Sequence, residues 1–355
     1  MTRTKQFDEK LLRLLKIVSP GTDLREGLEL ILQRGTGGLI VVGDNEKVLS
    51  VIDGGFQINH SLTPTALAEL AKMDGAIILS SDVRKILYAN TQLVPDYLIP
   101  TDERGTRHRS ANRMAKQTGV PAIAISETRN IITLYYGENK YVLKNIPELL
   151  RRSIQALQTM EKYRMTFDEA LTELDFLEFK NEVRLFHVVN VIQKGEVIRT
   201  IKEDVEHYIV ELGEEARLVE IQFKEILGNA VEETEQIIKD YAKGDIRTTV
   251  EKLDILDLNE LLEINTIVES LGYEPKPENL DLNVFPRGYR VLSKIPRLPR
   301  IVIENVVSSF GNLYNIIKAT PLEFTEIDEV GEKRANTIKV ELERLKDKAL
   351  VRKRY

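Results

Sequence analysis

Two short stretches carry residue types that can do chemistry together. The first, Lys72-Met73-Asp74-Gly75-Ala76, runs straight into Ile77-Ile78-Leu79-Ser80, so Asp74 stands where a polar turn enters an apolar strand. Such a junction is a common address for a catalytic carboxylate. The second, Gly105-Thr106-Arg107-His108-Arg109-Ser110, sets three cationic or cation-capable side chains among a glycine and two hydroxyls, with a helical pattern over 111–117 after it. Cations, hydroxyls and free amides at a helix start suit phosphate. Taken singly, Asp74 reads as a turn carboxylate capping a neighbouring amide, and the basic triplet as a solvated ion-pair cluster. Their presence in one chain favours the chemical reading. His60, His187 and His207 have no partner at metal-ligand spacing and read as structural.

The elements that must position these stretches follow from hydrophobic period. Apolar residues recur three and four apart over 9–18 and 24–33, predicting two amphipathic helices around Ser19-Pro20-Gly21. Short apolar runs then appear at 38–43, 48–52, 76–79, 86–89, 122–125 and 131–136, with helical patterns at 64–72 and 111–117 between them. Several runs are too uniformly apolar to have a wet face, which predicts an α/β domain whose mixed sheet is covered by helices. Beyond Ile146 strand signals nearly cease, and helical periods at 147–163, 167–179, 183–193, 197–211, 215–227 and 232–241 predict an all-α spine. The expected domains are 1–146, 147–284 and 285–355.

Charge is unevenly shared along the 355 residues: Lys+Arg against Asp+Glu is 19 to 17 over 1–150, 16 to 30 over 151–284, and 15 to 9 over 285–355. Those differences are +2, −14 and +6, which sum to the net −6 of the chain. Only the basic tail has the electrostatics of a nucleic-acid contact, although its run of Arg287, Arg290, Lys294, Arg297 and Arg300 equally suits pairing with an acidic spine. With no cysteine, disulfides, thiolate metal sites and cysteine nucleophiles are excluded. No apolar run approaches the ~18 residues that cross a bilayer. Thr2, Arg3 and Lys5 precede a charged stretch rather than a signal-peptide core, so a cytoplasmic address without membrane is expected.

The tail repeats short helices and tight turns, predicted at 301–310, 313–319, 322–327 and 332–345. Leu322, Ile327, Val330-Gly331, Ala335 and Ile338 have helix-hairpin-helix spacing, which offers backbone amides to a DNA phosphate. Val330, Gly331, Lys333, Arg334 and Lys339 are the candidate DNA contacts. The turn departs from Gly-hydrophobic-Gly, since Glu329 replaces the first glycine and sets a negative charge near the expected phosphate.

Asp74-Gly75-Ala76, Tyr88-Ala89-Asn90, Gly105-Thr106-Arg107-His108-Arg109, the Arg129-Asn130 turn, a helical middle and a helix-hairpin-helix tail, in this order, resemble the DisA family of diadenylate cyclases over essentially the whole chain. The resemblance implies condensation of two ATP into cyclic di-AMP and two pyrophosphates. It casts Asp74 as the ligand of Mg²⁺ or Mn²⁺, and Arg107, His108 and Arg109 as the phosphate clamp, with Thr106 and Ser110 donating hydroxyls. Gly75 and Ala76 would admit the nucleotide to the backbone and Leu93 would pack on adenine. One copy of each motif and a two-fold symmetric product require two nucleotide domains to face each other; the resemblance implies an octamer. It also implies branched DNA or recombination intermediates as a regulating partner and a nucleoid-associated location.

Two other classes stand beside this. A non-catalytic DNA-structure binder with a nucleotide-sensing N-terminal domain would bind ATP without releasing pyrophosphate. An ordinary ATPase is disfavoured because the chain lacks a Gly-x-x-x-x-Gly-Lys-Ser/Thr loop.

Overall fold

The computed structural model describes residues 9–352, so Thr2, Arg3 and Lys5 lie outside the described residues. Contacts divide the described residues into two compact units, one formed by residues 9–154 with Glu206–Ile221, the other by Gln155–Val205 with residues 222–352. Among the described residues no helix is long and apolar enough to cross a membrane.

The first unit opens with α1 (Glu9–Ile17) and α2 (Asp23–Gln33), the two amphipathic helices expected. After them come β1 (Gly38–Val42), α3 (Glu46–Leu49), β2 (Ile52–Asp53), β3 (Phe56–Ser61), α4 (Pro64–Leu70), β4 (Ala76–Leu79), β5 (Lys85–Leu93), α5 (Thr106–Thr118), β6 (Ala122–Ser126), β7 (Ile131–Tyr136) and β8 (Asn139–Val142). The strands form one mixed sheet in the order β2-β5-β4-β1-β6-β7-β8, with β3 also on β5. β1 and β4 run parallel, while β6 is antiparallel to β1. Alternate side chains leave opposite faces of a strand, and the two faces are both dry here. Ile40, Val42, Ile77, Leu79, Ile123 and Ile125 pack with Leu15, Leu28 and Leu67 from the helices on one side. Leu39, Val41, Ala76, Ile78, Ala122 and Ala124 pack with Ala111, Met114 and Ala115 of α5 on the other. That double burial explains why these strands read as continuous apolar runs.

The run at 48–52 is a correction. Asn45 accepts the Val48 amide at 3.0 Å and starts a short helix, leaving Ile52–Asp53 alone to pair in the sheet. A local cap outcompetes β-propensity there. β3 escapes notice because most of its residues are exposed.

Next come two long helices, α6 (Ile146–Lys180) and α7 (Leu185–Leu212), each continuous where the period suggests a pair. Gly195 interrupts the pattern of α7 for a packing reason: a Cβ there would collide with Thr234. A 3₁₀ turn at Gly213–Ala216 leads to α8 (Arg217–Leu227). The second unit continues through α9 (Ala230–Tyr241), α10 (Ile246–Asp254), α11 (Leu258–Leu262), α12 (Ile264–Ser270), α13 (Tyr289–Ser293), α14 (Arg300–Phe310), α15 (Leu313–Lys318), α16 (Pro321–Thr325) and α17 (Glu332–Arg352).

Much of the basic run after residue 285 is folded into its own unit. Arg290 is fully buried, pairing with Asp175 at 2.6 Å, with Glu178, and with Glu233 at 3.6 Å. Asp240 accepts the amides of Gly288, Tyr289 and Arg290, and Arg287 donates to the Lys239 and Ala242 carbonyls that end α9, both at 2.7 Å. Burial pushes the Glu178 carboxyl up to about 7 even though Arg290 pulls it down.

The tail holds a duplication with a period of 32 residues, the difference between Ile295 and Ile327. Leu292 matches Phe324, Leu298 matches Val330, and Val306 matches Ile338; all belong to one core except Leu298, which is partly buried against it. Arg297 and Glu329 occupy equivalent turn positions, with φ of +60° and +69°. Two helix–turn–helix hairpins are therefore present.

Candidate active site

Strand register assembles the site. β1 and β4 are parallel with Ile40 opposite Ile77, so the chain enters both strands, past Gly37 and past Asp74, at the same end of the sheet. The antiparallel pairing of Gly38 with Ile125 brings the end of β6 to the same edge. The helix α5 begins at Thr106 rather than Ala111, so the basic triplet is its first turns and not a preceding loop. Gly105 takes φ +87° at the N-cap and contributes no side chain, which leaves the opening amides of α5 uncovered by a capping group.

A cavity of about 320 Å³ opens there, lined by Arg104, Gly105, Thr106, Arg107 and His108 from the start of α5, and by Ser126, Glu127, Thr128 and Arg129 from the turn between β6 and β7. Three guanidinium groups and the positive end of a helix favour an anion. Asp74 is 99% exposed and lies 3.5 Å from Arg107. A pair this wet adds little stability, so its carboxylate is open to a ligand. Gly75 has a steric reason: its Cβ would lie 2.5 Å from the backbone of Asn90 on β5. A Cβ on Gly37 would strike the Arg107 guanidinium, so that glycine makes room for the arginine facing Asp74.

Behind the cavity runs a chain of polar contacts. His108 Nδ1 lies 2.9 Å from the Tyr135 hydroxyl, and Lys140 donates at 2.8 Å to Glu103, whose charge acts on Tyr135. Burial lowers the His108 pKa; Glu103 opposes this while Arg129, Lys140 and Arg107 reinforce it. Burial would raise the Glu103 carboxyl, but Lys140 and Tyr135 together hold it below its ordinary value. Burial, then Glu103, raises the Tyr135 hydroxyl.

Of the candidates read from sequence, Thr106, Arg107 and His108 line the cavity and Asp74 pairs with Arg107. Arg109 and Ser110 are not among its lining residues, because successive helix positions point different ways. Ala76 and Leu93 belong to the core on the α5 side of the sheet. Residues that sequence reasoning passed over are Gly37, Glu103, Ser126, Thr128, Tyr135 and Lys140, whose types are ordinary and whose proximity is purely tertiary. In the tail, Val330 is buried, Gly331 and Lys333 are exposed, Arg334 donates to the Glu329 carbonyl, and Lys339 donates to the Ile317 and Ala319 carbonyls at 2.7 and 3.1 Å.

The family model of the DisA bacterial checkpoint controller nucleotide-binding region matches residues 25–140, and that of the DisA bacterial checkpoint controller linker region matches 143–280. The DNA integrity scanning protein DisA of Acetivibrio thermocellus is 48% identical over 94% of this chain and 94% of its own length. Its counterpart in Carboxydothermus hydrogenoformans is 48% identical over 96% of this chain and 98% of its own. That of Clostridioides difficile is 45% identical, covering 97% of each.

Proposed function

The chain belongs to the DisA family and is a diadenylate cyclase acting on ATP, and from that premise we propose that the α5 cavity holds the triphosphate while Asp74 works at its rim. The supporting observation is the Asp74–Arg107 pair at the mouth of a cavity rich in guanidinium groups. Arg107 and Arg129 hold phosphate oxygens and offset the charge that grows on departing pyrophosphate. Thr106, Ser126 and Thr128 donate hydroxyl hydrogen bonds, and Arg109 adds positive charge outside the cavity. Gly75 and Ala76 let the nucleotide lie against the strand entry, and Leu93 supports the adenine from the core.

Among the described residues no cluster of three or more His, Asp or Glu could hold a metal. A single open carboxylate fits Mg²⁺ or Mn²⁺ shared with substrate phosphates, as Mg²⁺ is usually bound. When bound beside Asp74, such a cation lowers the pKa of the attacking ribose hydroxyl. The product needs each 3′-oxygen to attack the α-phosphorus of the other nucleotide, so two cavities must meet across an isologous interface, within an octamer that holds four such pairs. We assign residues 1–146 to cyclisation, 147–284 to a connecting spine and 285–355 to DNA, including branched DNA, in keeping with the names of the relatives.

Purified protein with ATP and Mg²⁺ or Mn²⁺ should yield cyclic di-AMP by mass spectrometry. Asp74→Asn should abolish product while leaving the oligomer unchanged in light scattering. Wild-type turnover by that variant would remove Asp74 from its role.

A further inference from the structure

Asn90 sits inside β5 with φ +54°, a left-handed conformation that interrupts the strand. Backbone closes on it from both sides. A Cβ on Gly75 would lie 2.5 Å from the Asn90 Cα and carbonyl carbon, and one on Gly55 would lie 3.0 Å from that carbonyl carbon. Glycine fills a left-handed position at no steric cost, and asparagine tolerates it because its carboxamide can bond nearby backbone. Asn90 does not use that option. Among the described residues its carboxamide has no hydrogen-bond partner, and the residue is only half-buried. Its Oδ1 lies 2.8 Å from the position of a Gly75 Cβ, so this unpaired group covers the residue next to Asp74.

Sheet order says what part of a nucleotide this group meets. The strands run β5-β4-β1-β6 across the sheet. The cavity opens at the end of β6 and the start of α5, Arg107 reaches Asp74 at the entry to β4, and Gly75 meets Asn90 on β5. A nucleotide with its phosphates in the cavity and its attacking ribose oxygen at Asp74 therefore has its sugar beside Asn90. We propose that Asn90 is a specificity-determining residue whose Oδ1 accepts a hydrogen bond from the ribose 2′-hydroxyl. The 3′-oxygen is the nucleophile and gives up its proton, so the vicinal hydroxyl is the ribose donor left for a neutral acceptor. Leu93, assigned to the adenine, is three residues further along the same strand. This inference rests on the cavity being the nucleotide site.

The test compares cyclisation of ATP and of 2′-deoxy-ATP, which keeps the 3′-hydroxyl, by full-length wild-type protein and N90G. Glycine preserves the left-handed backbone and removes only the side chain, so N90G should keep the wild-type oligomer; N90A, which strains that backbone, is the control. One neutral hydrogen bond is worth roughly 2- to 12-fold. Wild-type protein should prefer ATP by about that factor in kcat/KM. N90G should lose the same factor on ATP and nothing on 2′-deoxy-ATP. Equal loss on both substrates, no loss on either, or a wild-type protein indifferent to the 2′-hydroxyl overturns the proposal. So does an N90A protein that fails while N90G retains the full preference, because the position then supplies backbone conformation alone. Equilibrium binding of both nucleotides with divalent cations chelated reads the preference without turnover. A protein that shows it there yet makes no cyclic di-AMP would fail as a cyclase and keep the Asn90 contact.

Discussion

Gly75→Ala tests whether the sheet itself sets the geometry of the reaction. The added Cβ would lie 2.5 Å from the Asn90 Cα and carbonyl carbon, against 3.4 Å for the near limit of ordinary contact, so β4 and β5 must part by 3.4 − 2.5 = 0.9 Å. Neither atom is the tip of a flexible side chain, and Ala76 next door pairs with Thr91 in the same ladder, so the strain is not absorbed locally. Overpacking of this kind costs about 1–3 kcal/mol. Loss of glycine's freedom in the unfolded chain returns about 0.4–1 kcal/mol. A net ~1–2 kcal/mol corresponds to a Tm lower by roughly 2–8 °C for a unit of this size. Catalysis should suffer more than stability. Asp74 precedes the displaced residue, and a shift near 1 Å costs on the order of 10²-fold in rate, or about 2.7 kcal/mol. Pyrophosphate release and thermal melting check both figures, with Gly244→Ala, where a Cβ meets open space, as the control. A G75A protein with wild-type turnover would refute the view that β4 and β5 hold Asp74 in place.

Two further outcomes concern buried charge. Arg290→Ala leaves Asp175 and Glu178 facing each other without their shared cation, so it should cost about 3–5 kcal/mol, read as an earlier urea transition of the helical unit. His108 titrates below its ordinary value because burial disfavours its charged form. The folded protein then binds fewer protons than the unfolded chain, so this group's contribution is present above its ordinary pKa and lost as pH falls through the lowered one. Wild-type protein should therefore lose stability relative to H108Q on acidification below about pH 6.5, measured by melting in a pH series; the opposite slope would contradict the burial argument.

The sheet was legible wherever both of its faces are dry, because β1, β4 and β6 then spell continuous apolar runs. It was illegible at exposed β3 and at Val48, where one asparagine cap decides. Gly195 broke a helical pattern that the folded chain continues, since the need for a glycine came from Thr234, thirty-nine positions away by 234 − 195. The phosphate-type residues were legible because their chemistry is unusual. Tyr135, Glu103 and Lys140 were not, because a tyrosine in an apolar strand and two surface charges carry no local mark of meeting behind a histidine.

The basic tail looked like an electrostatic surface, yet its charges are largely committed. Arg290 and Lys294 pair with carboxylates of α6 and α9, while Arg334 and Lys339 hold backbone carbonyls. Around the two equivalent turns the exposed cations are Arg297, Arg300 and Lys333. The first turn places an arginine where the second places Glu329, so the first is the better match to a phosphate. On the proposed DNA reading, three such contacts would give a slope of log affinity against log salt of about −2.7 per bound chain. Arg297→Ala should flatten that slope by about one, whereas Glu329→Gln should tighten binding without flattening it. A slope twice as steep, or an R297A protein with unchanged affinity for branched duplex, would count against the proposed DNA contact at these turns.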